Sequence, residues 1–565
     1  MATGSELMAL AARSTAQLTA PGAPFELVDV EQGGHTLKAY RQAFPTLPAL
    51  LDAGRVHADK EFLVYEGERW TFTRFFAAVD ALSGWLQREA GIRAGERVAI
   101  AMRNRPEWGV AFVATAMTGA VPVPLNSFGL RDELAAALRE TTPRLLFCDA
   151  ERHARIGEDL PVLGVAAIVA GGAVPPGTHD FDALCAAGTA PAQTPVLTPA
   201  DPALILFTSG ASSRAKAVLS GQRAVCQAMY NIEYIGTFSA LTSPKAIEKL
   251  MQSANPPTTL MAVPLFHVSG LHAQLLASLR GGRRLVLMRR WDSARALELI
   301  GSEHITQFNG APAMVMQLLA EPGFDAATTT LAGIGFGGAG LPQRVVDDVL
   351  VRRPDSLSGV GFGMTETNGA GAAVAGALFF RRPNSSGCLS PVMQLKVIDA
   401  GGKPLPAGEP GELCLRGVCV MDGYWHNPVA TAAALDADGW LHTGDIGYLD
   451  AEGFLHVVDR IKDVINRNGE KIASAEVESC LLQHPQVQEA VVFAQPDEVT
   501  GEAVVAVVVA RSGATLSADV VRAHVAARLA AYKVPRDIYI HAGSLPRSPS
   551  GKLLKRAVKR EYLPS

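Results

Sequence analysis

With 565 residues, of which 48% are apolar, the chain is long enough for more than one buried core and fits large α/β layers. A formal net charge of −4 lacks the basic excess of polyanion binders, so no nucleic-acid partner is expected. Cys148, Cys185, Cys226, Cys388, Cys414, Cys419 and Cys480 show neither C-x-x-C pairs nor the His spacing of a metal site, and read as free thiols of a reducing cytosol.

The N-terminus has no basic leader region, and no apolar run reaches the roughly eighteen residues of a membrane span. A cytoplasmic protein without an integral membrane segment is expected, with peripheral membrane contact left open for an apolar substrate. Residues 1 to about 45, punctuated by Pro and Gly, read as an extension packed on the surface. FLVYEGERWTFTRFF then predicts a hairpin turning at Gly67 and leading through Thr71 into a helix. RVAIAMRN reads as a buried strand, PEWGVAFVATAMTG as a helix opened by Pro106 and closed by Gly119, and AVPVPLN as a second strand. Strand, helix, strand in this order implies a parallel sheet.

Leu206 to Val218, LFTSGASSRAKAV, combines what a phosphate grip needs: hydroxyls at Thr208 and Ser209, a tight turn at Gly210 and a point charge at Lys216. The apolar ALILF before it predicts a strand and AVCQAMY after it a helix, which puts the loop at a strand-to-helix turn. Lys216 is followed by Ala217, so this is not the G-x-x-x-x-G-K-[ST] loop. Tyr230, Tyr234 and Phe238 follow, either as core or as the lining of an acyl tunnel. TLMAVPLFHVSG delivers His267 at the end of a strand, as a structural residue or as a gate. GIGFGGAG, Gly333 to Gly340, formally matches G-x-G-x-x-G. A dinucleotide-dependent oxidoreductase with Asp355 on the ribose is therefore a rival, although Asp355 lies in a loop-like RRPDS.

Further motifs follow in order: GFGMTET from Gly361 to Thr367, LHTGD ending at Asp445, DRIKDVI from Asp459 to Ile465, and SPSGK ending at Lys552. With the Thr208 to Lys216 loop, this succession resembles the AMP-forming adenylate-forming superfamily of acyl-CoA and aryl-CoA synthetases, adenylation domains and luciferases. The match runs from about Glu66 to Arg556. Ser213, Ala215 and Ala217 depart from the family's loop, which carries Gly, Pro and Gly there; a side chain at Ser213 resists positive φ and would stiffen closure over ATP.

The resemblance implies an α/β fold: a large N-terminal domain of layered mixed sheets with helices, residues 1–459, and a small mobile α+β C-terminal domain, residues 460–565, hinged at Lys462. It implies ATP or AMP contacts at Thr208, Ser209, Gly210, Lys216, Gly337, Gly338, Ala339, Gly361, Phe362, Gly363, Met364, Thr365, Asp445, Arg460 and Lys552. His267, Gly338 and Gly363 would border the acid, Gly469 the CoA tunnel, and Glu366 would hold Mg²⁺, a hard cation suited to carboxylate and phosphate oxygens. Thr365, Glu366 and Lys552 would carry the chemistry. Joining a carboxylate to ATP brings two anions together, and a lysine entering the cleft offsets their repulsion. Lys533, Arg536, Lys555 and Arg556 are candidates for CoA phosphates.

The expected activity is that of an ATP-dependent, AMP-forming acid:CoA ligase using ATP, Mg²⁺ and coenzyme A. A medium or long aliphatic acid is favoured because Asn368 to Leu378 is rich in small apolar residues that would leave tunnel volume. An aryl acid is the nearest alternative; a non-catalytic nucleotide-binding homologue and the oxidoreductase remain as other classes.

Overall fold

The computed structural model describes residues 4–208, 215–253, 255–337, 343–468, 470–549 and 551–563, without the side chains of residues 343 and 344. The strands Arg97–Ala101, Val121–Pro124, Leu145–Asp149 and Ala166–Ala170 form, with His179–Asp180, a parallel five-stranded sheet. Nearly every residue of the first four is buried, as helices covering both faces require. The helix Pro106–Met117 supplies one crossover. Proline opens it, and Gly119 closes it at φ 74°, where a side chain would also strike Pro195. The hairpin Glu61–Tyr65 and Glu68–Thr71 turns at Glu66 and Gly67, and Thr71 caps the next helix by accepting from the Arg74 amide.

A mixed sheet of 13 strands spans the molecule's middle. Its parallel centre contains Thr258–Met261, Gln307–Gly310, Gly333–Gly337 and Gly359–Phe362; its antiparallel flank includes Leu441–Leu449 and Phe454–Arg460. The chain leaves this sheet at Arg460. After the turn Ile461–Asp463 it builds a separate five-stranded sheet from Ile465–Arg467, Glu470–Ile472, Val487–Asp497, Gly501–Ala510 and Asp537–His541. This second body has its own core: Ile465, Val477, Leu481, Val492 and Val504 are fully buried. No helix among the described residues is long and apolar enough to cross a membrane.

Two expectations change here. The N-terminal segment is an ordered helix, Gly4–Thr19, followed by the hairpin Leu27–Gln32 and His35–Tyr40. Its Phe25 and Tyr40 rings pack with Tyr230 and Tyr234 at centroid distances of 5.5–6.0 Å, and Phe238 stacks on Tyr234. Tyr40 also donates to Asn231 at 2.9 Å, and the Tyr234 and Thr15 hydroxyls meet at 3.0 Å. Tyr234 is therefore core, and Tyr230 and Phe238 pack against that core while partly exposed.

Glycines in and beside the stretch from Asn368 to Leu378 are held in close contacts. A Cβ on Gly363 would sit 2.3 Å from the Gly369 carbonyl, one on Gly371 2.3 Å from the Phe362 carbonyl, and one on Gly376 2.0 Å from Ser243 Oγ. Their smallness is used up by backbones in close approach.

Candidate functional site

The phosphate loop joins two antiparallel strands, Pro202–Phe207 and Ala217–Gly221, and the helix Gln222–Thr242 begins only afterwards. The expected strand-to-helix turn thus joins an antiparallel strand pair instead. The Thr208 amide donates to the Lys216 carbonyl at 2.9 Å, and the Lys216 amide donates to Thr208 Oγ1 at 3.0 Å. That pair fixes the base of the loop and brings the threonine hydroxyl beside the lysine. Ser209, Gly210 and Ser213 lie outside the described residues.

Opposite the loop, Thr365–Thr367 forms a single tight turn whose start is locked by the Thr367 hydroxyl and Met364 backbone. The turn buries Glu366, whose carboxylate accepts from Tyr424 Oη at 2.8 Å. Lys216 Nζ lies 4.5 Å from the centre of that tyrosine ring. Tyr424 thus ties the phosphate-loop lysine to the acidic residue of GFGMTET, a bridge that no motif spacing announced. Burial, reinforced by Glu366, raises the Tyr424 pKa far out of the physiological range, so the hydroxyl stays a donor. With one carboxylate oxygen fixed in this way, Glu366 is a buried, oriented oxygen donor of the kind a hard cation takes.

Gly337 and Gly361 are directly paired at the C-terminal ends of two parallel strands, with Phe362 and Gly363 next in the chain. Among the described residues nothing lies within 4 Å of where a Gly337 Cβ would project, which leaves that backbone open to a flat ring. Gly338 and Ala339 lie outside the described residues. Gly363 is tied to Gly369 by the close approach noted above.

Asp445 and Arg460 are cross-strand partners, and Arg460 Nε reaches Asp445 Oδ1 at 2.9 Å. The Asp445 carboxylate is 6% exposed, whereas the Arg460 side chain is 48% exposed. Burial pushes the aspartate's pKa up; Arg460, Lys552 and Lys462 oppose that. A carboxylate paired with an arginine keeps acceptor capacity for two sugar hydroxyls.

The last piece comes from the second body. Arg547 and Leu553 bridge a tight loop closed by the Ser548 amide donating to the Lys552 carbonyl at 2.7 Å and the Lys552 amide donating to Ser548 Oγ at 3.1 Å. Gly551 has φ 82°, and a Cβ there would lie 2.9 Å from Ala311 Cβ of the large body. Only glycine lets the loop sit this deep. Lys552 thereby enters the cleft: burial lowers its pKa, Arg460 lowers it further, and Asp445 and Glu366 pull it back up. Lys462, half-buried in the intervening turn, is likewise lowered by burial first and then by Arg460. Gly469 lies outside the described residues.

His267 stands beyond Lys552, six residues past the end of the strand Thr258–Met261, and caps the turn Val268–Gly270. Burial, with a smaller push from Lys552, lowers its pKa to about 3, and its Nε2 has no hydrogen-bond partner. The chain continues as a π-helix, Leu271–Leu276, a rare form that concentrates at functional sites. There His272 is fully buried, with a pKa lowered to about 4 by burial against an opposing pull from Asn368. Val268 packs against Gly369, which joins this segment to the end of GFGMTET. His272 and Asn368 escaped the sequence reading because neither belongs to a motif.

Of the candidates for CoA phosphates, Lys533 is bound to Glu476 at 2.7 Å and Lys555 to Glu478 at 2.8 Å, while Arg536 pairs with Asp497 and Asp537. Arg556 is exposed. Away from the cleft, Glu412, Cys414 and His442 converge across two strands with donor atoms within 4.8 Å of one another. Cys414 and His442 are cross-strand neighbours, a relation invisible to spacing. His442 Nδ1 is 3.1 Å from Glu412 Oε2 and 3.6 Å from Cys414 Sγ, and burial pushes the thiol to about 12, so the cysteine stays protonated.

A family profile described as AMP-binding enzyme matches residues 50–425, and one described as AMP-binding enzyme C-terminal domain matches residues 476–552. Among curated proteins, the chain is 32% identical over 545 residues to 4-coumarate–CoA ligase-like 6 of Oryza sativa subsp. japonica, covering 94% of this chain and 88% of that one. It is 31% identical to 4-coumarate–CoA ligase-like 6 of Arabidopsis thaliana, covering 85% and 84%. Among solved structures, the amide bond synthetase McbA from Marinactinospora thermotolerans superposes with TM-score 0.78 at 26% identity, covering 91% of this chain and 99% of that one. The o-succinylbenzoate CoA synthetase MenE from Bacillus subtilis, in complex with its acyl-adenylate, gives 0.74 at 27%, covering 92% and 98%. The chain belongs to the family of AMP-binding enzymes.

Proposed function

We propose that the protein is an ATP-dependent, AMP-forming acid:CoA ligase in which residues 1–459 bind the substrates and residues 460–565 move about Lys462. The observation that carries this reading is the entry of Lys552 from the second body into a cleft where Asp445, Arg460 and Glu366 already interact with it. Thr208 and Lys216 would hold the phosphates, Gly337 and Gly361 to Met364 the adenine side, and Asp445 with Arg460 the ribose. Thr365 would contact the α-phosphate beside Glu366, which would hold Mg²⁺; the ion would supply charge neutralisation when bound. The acid's carboxylate would lie between Lys552 and His267. Kept neutral, His267 repels neither Lys552 nor the substrate, and its unpartnered Nε2 is available to a carboxylate oxygen. Lys552 then lowers the barrier by offsetting charge that grows as the carboxylate oxygen attacks phosphorus. Its withdrawal opens the cleft to the thiol of CoA.

An aryl or arylpropenoic acid is the better substrate class. The curated relatives are 4-coumarate–CoA ligases, and glycines of the small-residue stretch that favoured an aliphatic tunnel are taken up by close contacts. Acid-dependent exchange of pyrophosphate into ATP, run over aromatic and aliphatic acids and followed by thioester detection with CoA, tests the reading. Exchange and thioester with ring acids are expected. ATP binding without exchange would instead favour the non-catalytic homologue, and preference for long aliphatic acids would overturn the substrate class.

A further inference from the structure

We infer that Asp459, Ser474, Lys555 and Glu478 form a clasp across the hinge that holds the second body with Lys552 inside the cleft, making Ser474 and Lys555 positioning residues for acyl-adenylate formation. The inference rests on the two-step reading above and adds to it the residues that stabilise one of the two orientations.

Asp459 ends the large sheet's strand Phe454–Arg460, and Ser474 opens the helix Ser474–Leu482, whose Val477 and Leu481 belong to the small body's core. The turn Ile461–Asp463 lies between them. Ser474 Oγ donates to Asp459 Oδ2 at 2.9 Å, and the Ala475 amide donates to the same oxygen at 3.2 Å. Asp459 Oδ1 accepts from the Arg460 amide at 2.8 Å, so both oxygens of this buried carboxylate are used. A carboxylate at the first turn of a helix is favourable in itself. What makes the contact directional is the next residue in the chain of bonds. Lys555 Nζ donates to Ser474 Oγ at 2.7 Å and pairs with Glu478 Oε1 at 2.8 Å.

A serine hydroxyl has one proton. Because it accepts from an ammonium that has no acceptor lone pair, its own proton is left to point at Asp459. Glu478 Oε1 also accepts from the Val492 amide at 2.8 Å, which anchors the far end of the relay in the small body's sheet. Ser474 is fully buried, so parting Asp459 from Ser474 costs Asp459 Oδ2 both of its bonds and the hydroxyl its acceptor, while the Arg460 amide stays on Oδ1 and Lys555 on Ser474. Lys555 is also three residues from Lys552 and begins the helix Lys555–Tyr562. The segment that delivers the charge to the cleft is thus the segment that closes the clasp. Rotation about Lys462 displaces one half of the clasp from the other, so the relay favours the orientation in which Lys552 is docked.

The full-length protein and its Ser474→Ala, Ser474→Thr and Lys555→Met variants separate this from a general packing role. Two rates are read: acid-dependent pyrophosphate exchange, and thioester formation from CoA and the pre-made adenylate of the acid that exchanges fastest. Ser474→Ala is expected to slow exchange about ten-fold in kcat with little change in the KM for ATP, while thioester formation stays at or above the wild-type rate; Lys555→Met is expected to slow exchange by a similar factor. Ser474→Thr, which keeps the hydroxyl, is expected to retain exchange. Equal loss in both steps, unchanged exchange in Ser474→Ala, or a loss in Ser474→Thr as large as in Ser474→Ala would overturn the clasp. A wild type that exchanges with no acid would instead remove the functional reading, and the clasp's kinetic role with it.

Discussion

At the proposed ribose end of the cleft, Asp445 and Arg460 face each other across a strand pair and pair at 2.9 Å. At the proposed acid end, His267 Nε2 and Gln274 Oε1 are buried without a hydrogen-bond partner among the described residues, and the fully buried His272 has only Asn368 acting on its ring. Each such group costs about 1–3 kcal/mol. One half of the site is therefore complete as folded, and the other half keeps polar groups in reserve. The contrast fits a shared nucleotide grip joined to an acid pocket whose stability depends on what fills it. The π-helical turn, from Leu271 to Leu276, lies in that second half.

Four substitutions test how far the two ends differ. The largest effect is expected from Glu366→Gln, which keeps the shape and the Tyr424 contact but removes the charge. Exchange should fall about a hundred-fold, and a titration of magnesium should show weaker dependence on the ion. Asp445→Ala should come next, with kcat/KM for ATP down about thirty-fold. In that variant 2′-deoxy-ATP should be no worse than ATP; a penalty as large as in the wild type would mean that the aspartate does not hold the sugar.

Tyr424→Phe is expected to cost only about five-fold, because Glu366 loses one orienting bond and keeps its charge. A loss as great as that of Glu366→Gln would make the tyrosine more than an orienting group.

The acid end offers the smallest effect, and it appears in stability. His272 is held neutral, with a pKa lowered from 6.5 to about 4. The unfolded chain therefore binds a proton that the folded chain refuses, and stability is lost as pH falls from 6.5 towards 4. The loss from this group is at most about 3 kcal/mol. In His272→Leu the melting temperature should vary less across that window, whereas an unchanged slope would show that the imidazole protonates freely in the fold.

The ribose end was legible in the sequence because HTGD and DRIKD are short motifs at the two ends of one antiparallel pair, so that their chain spacing fixes their spatial relation. The hairpin at Gly67 and the parallel sheet beginning at Arg97 could be read for a similar reason: local turn chemistry and buried strands suffice. The acid end could not. His272 and Asn368 are brought together by helix packing, and Tyr424 reaches Glu366 from a strand far along the chain. Smallness in the Asn368 to Leu378 stretch suggested empty space, yet glycine also serves strands that approach closely, and composition does not separate the two uses. The strand Ala217–Gly221 was missed because five residues between a loop and a long helix carry too little periodicity. Lys555 read as a candidate for CoA phosphates, since Glu478, its partner, lies on another helix of the small body.

The account's central claim is that a lysine borne by the second body offsets charge in the first chemical step and stands aside in the second. The most direct measurement follows single-turnover adenylate formation, and separately thioester formation from supplied adenylate and CoA, in Lys552→Ala beside the wild type. Loss of the first step by about a thousand-fold, with the second step within a few-fold of normal, is the predicted result. Adenylate formation at the wild-type rate, or equal loss of both steps, would contradict it.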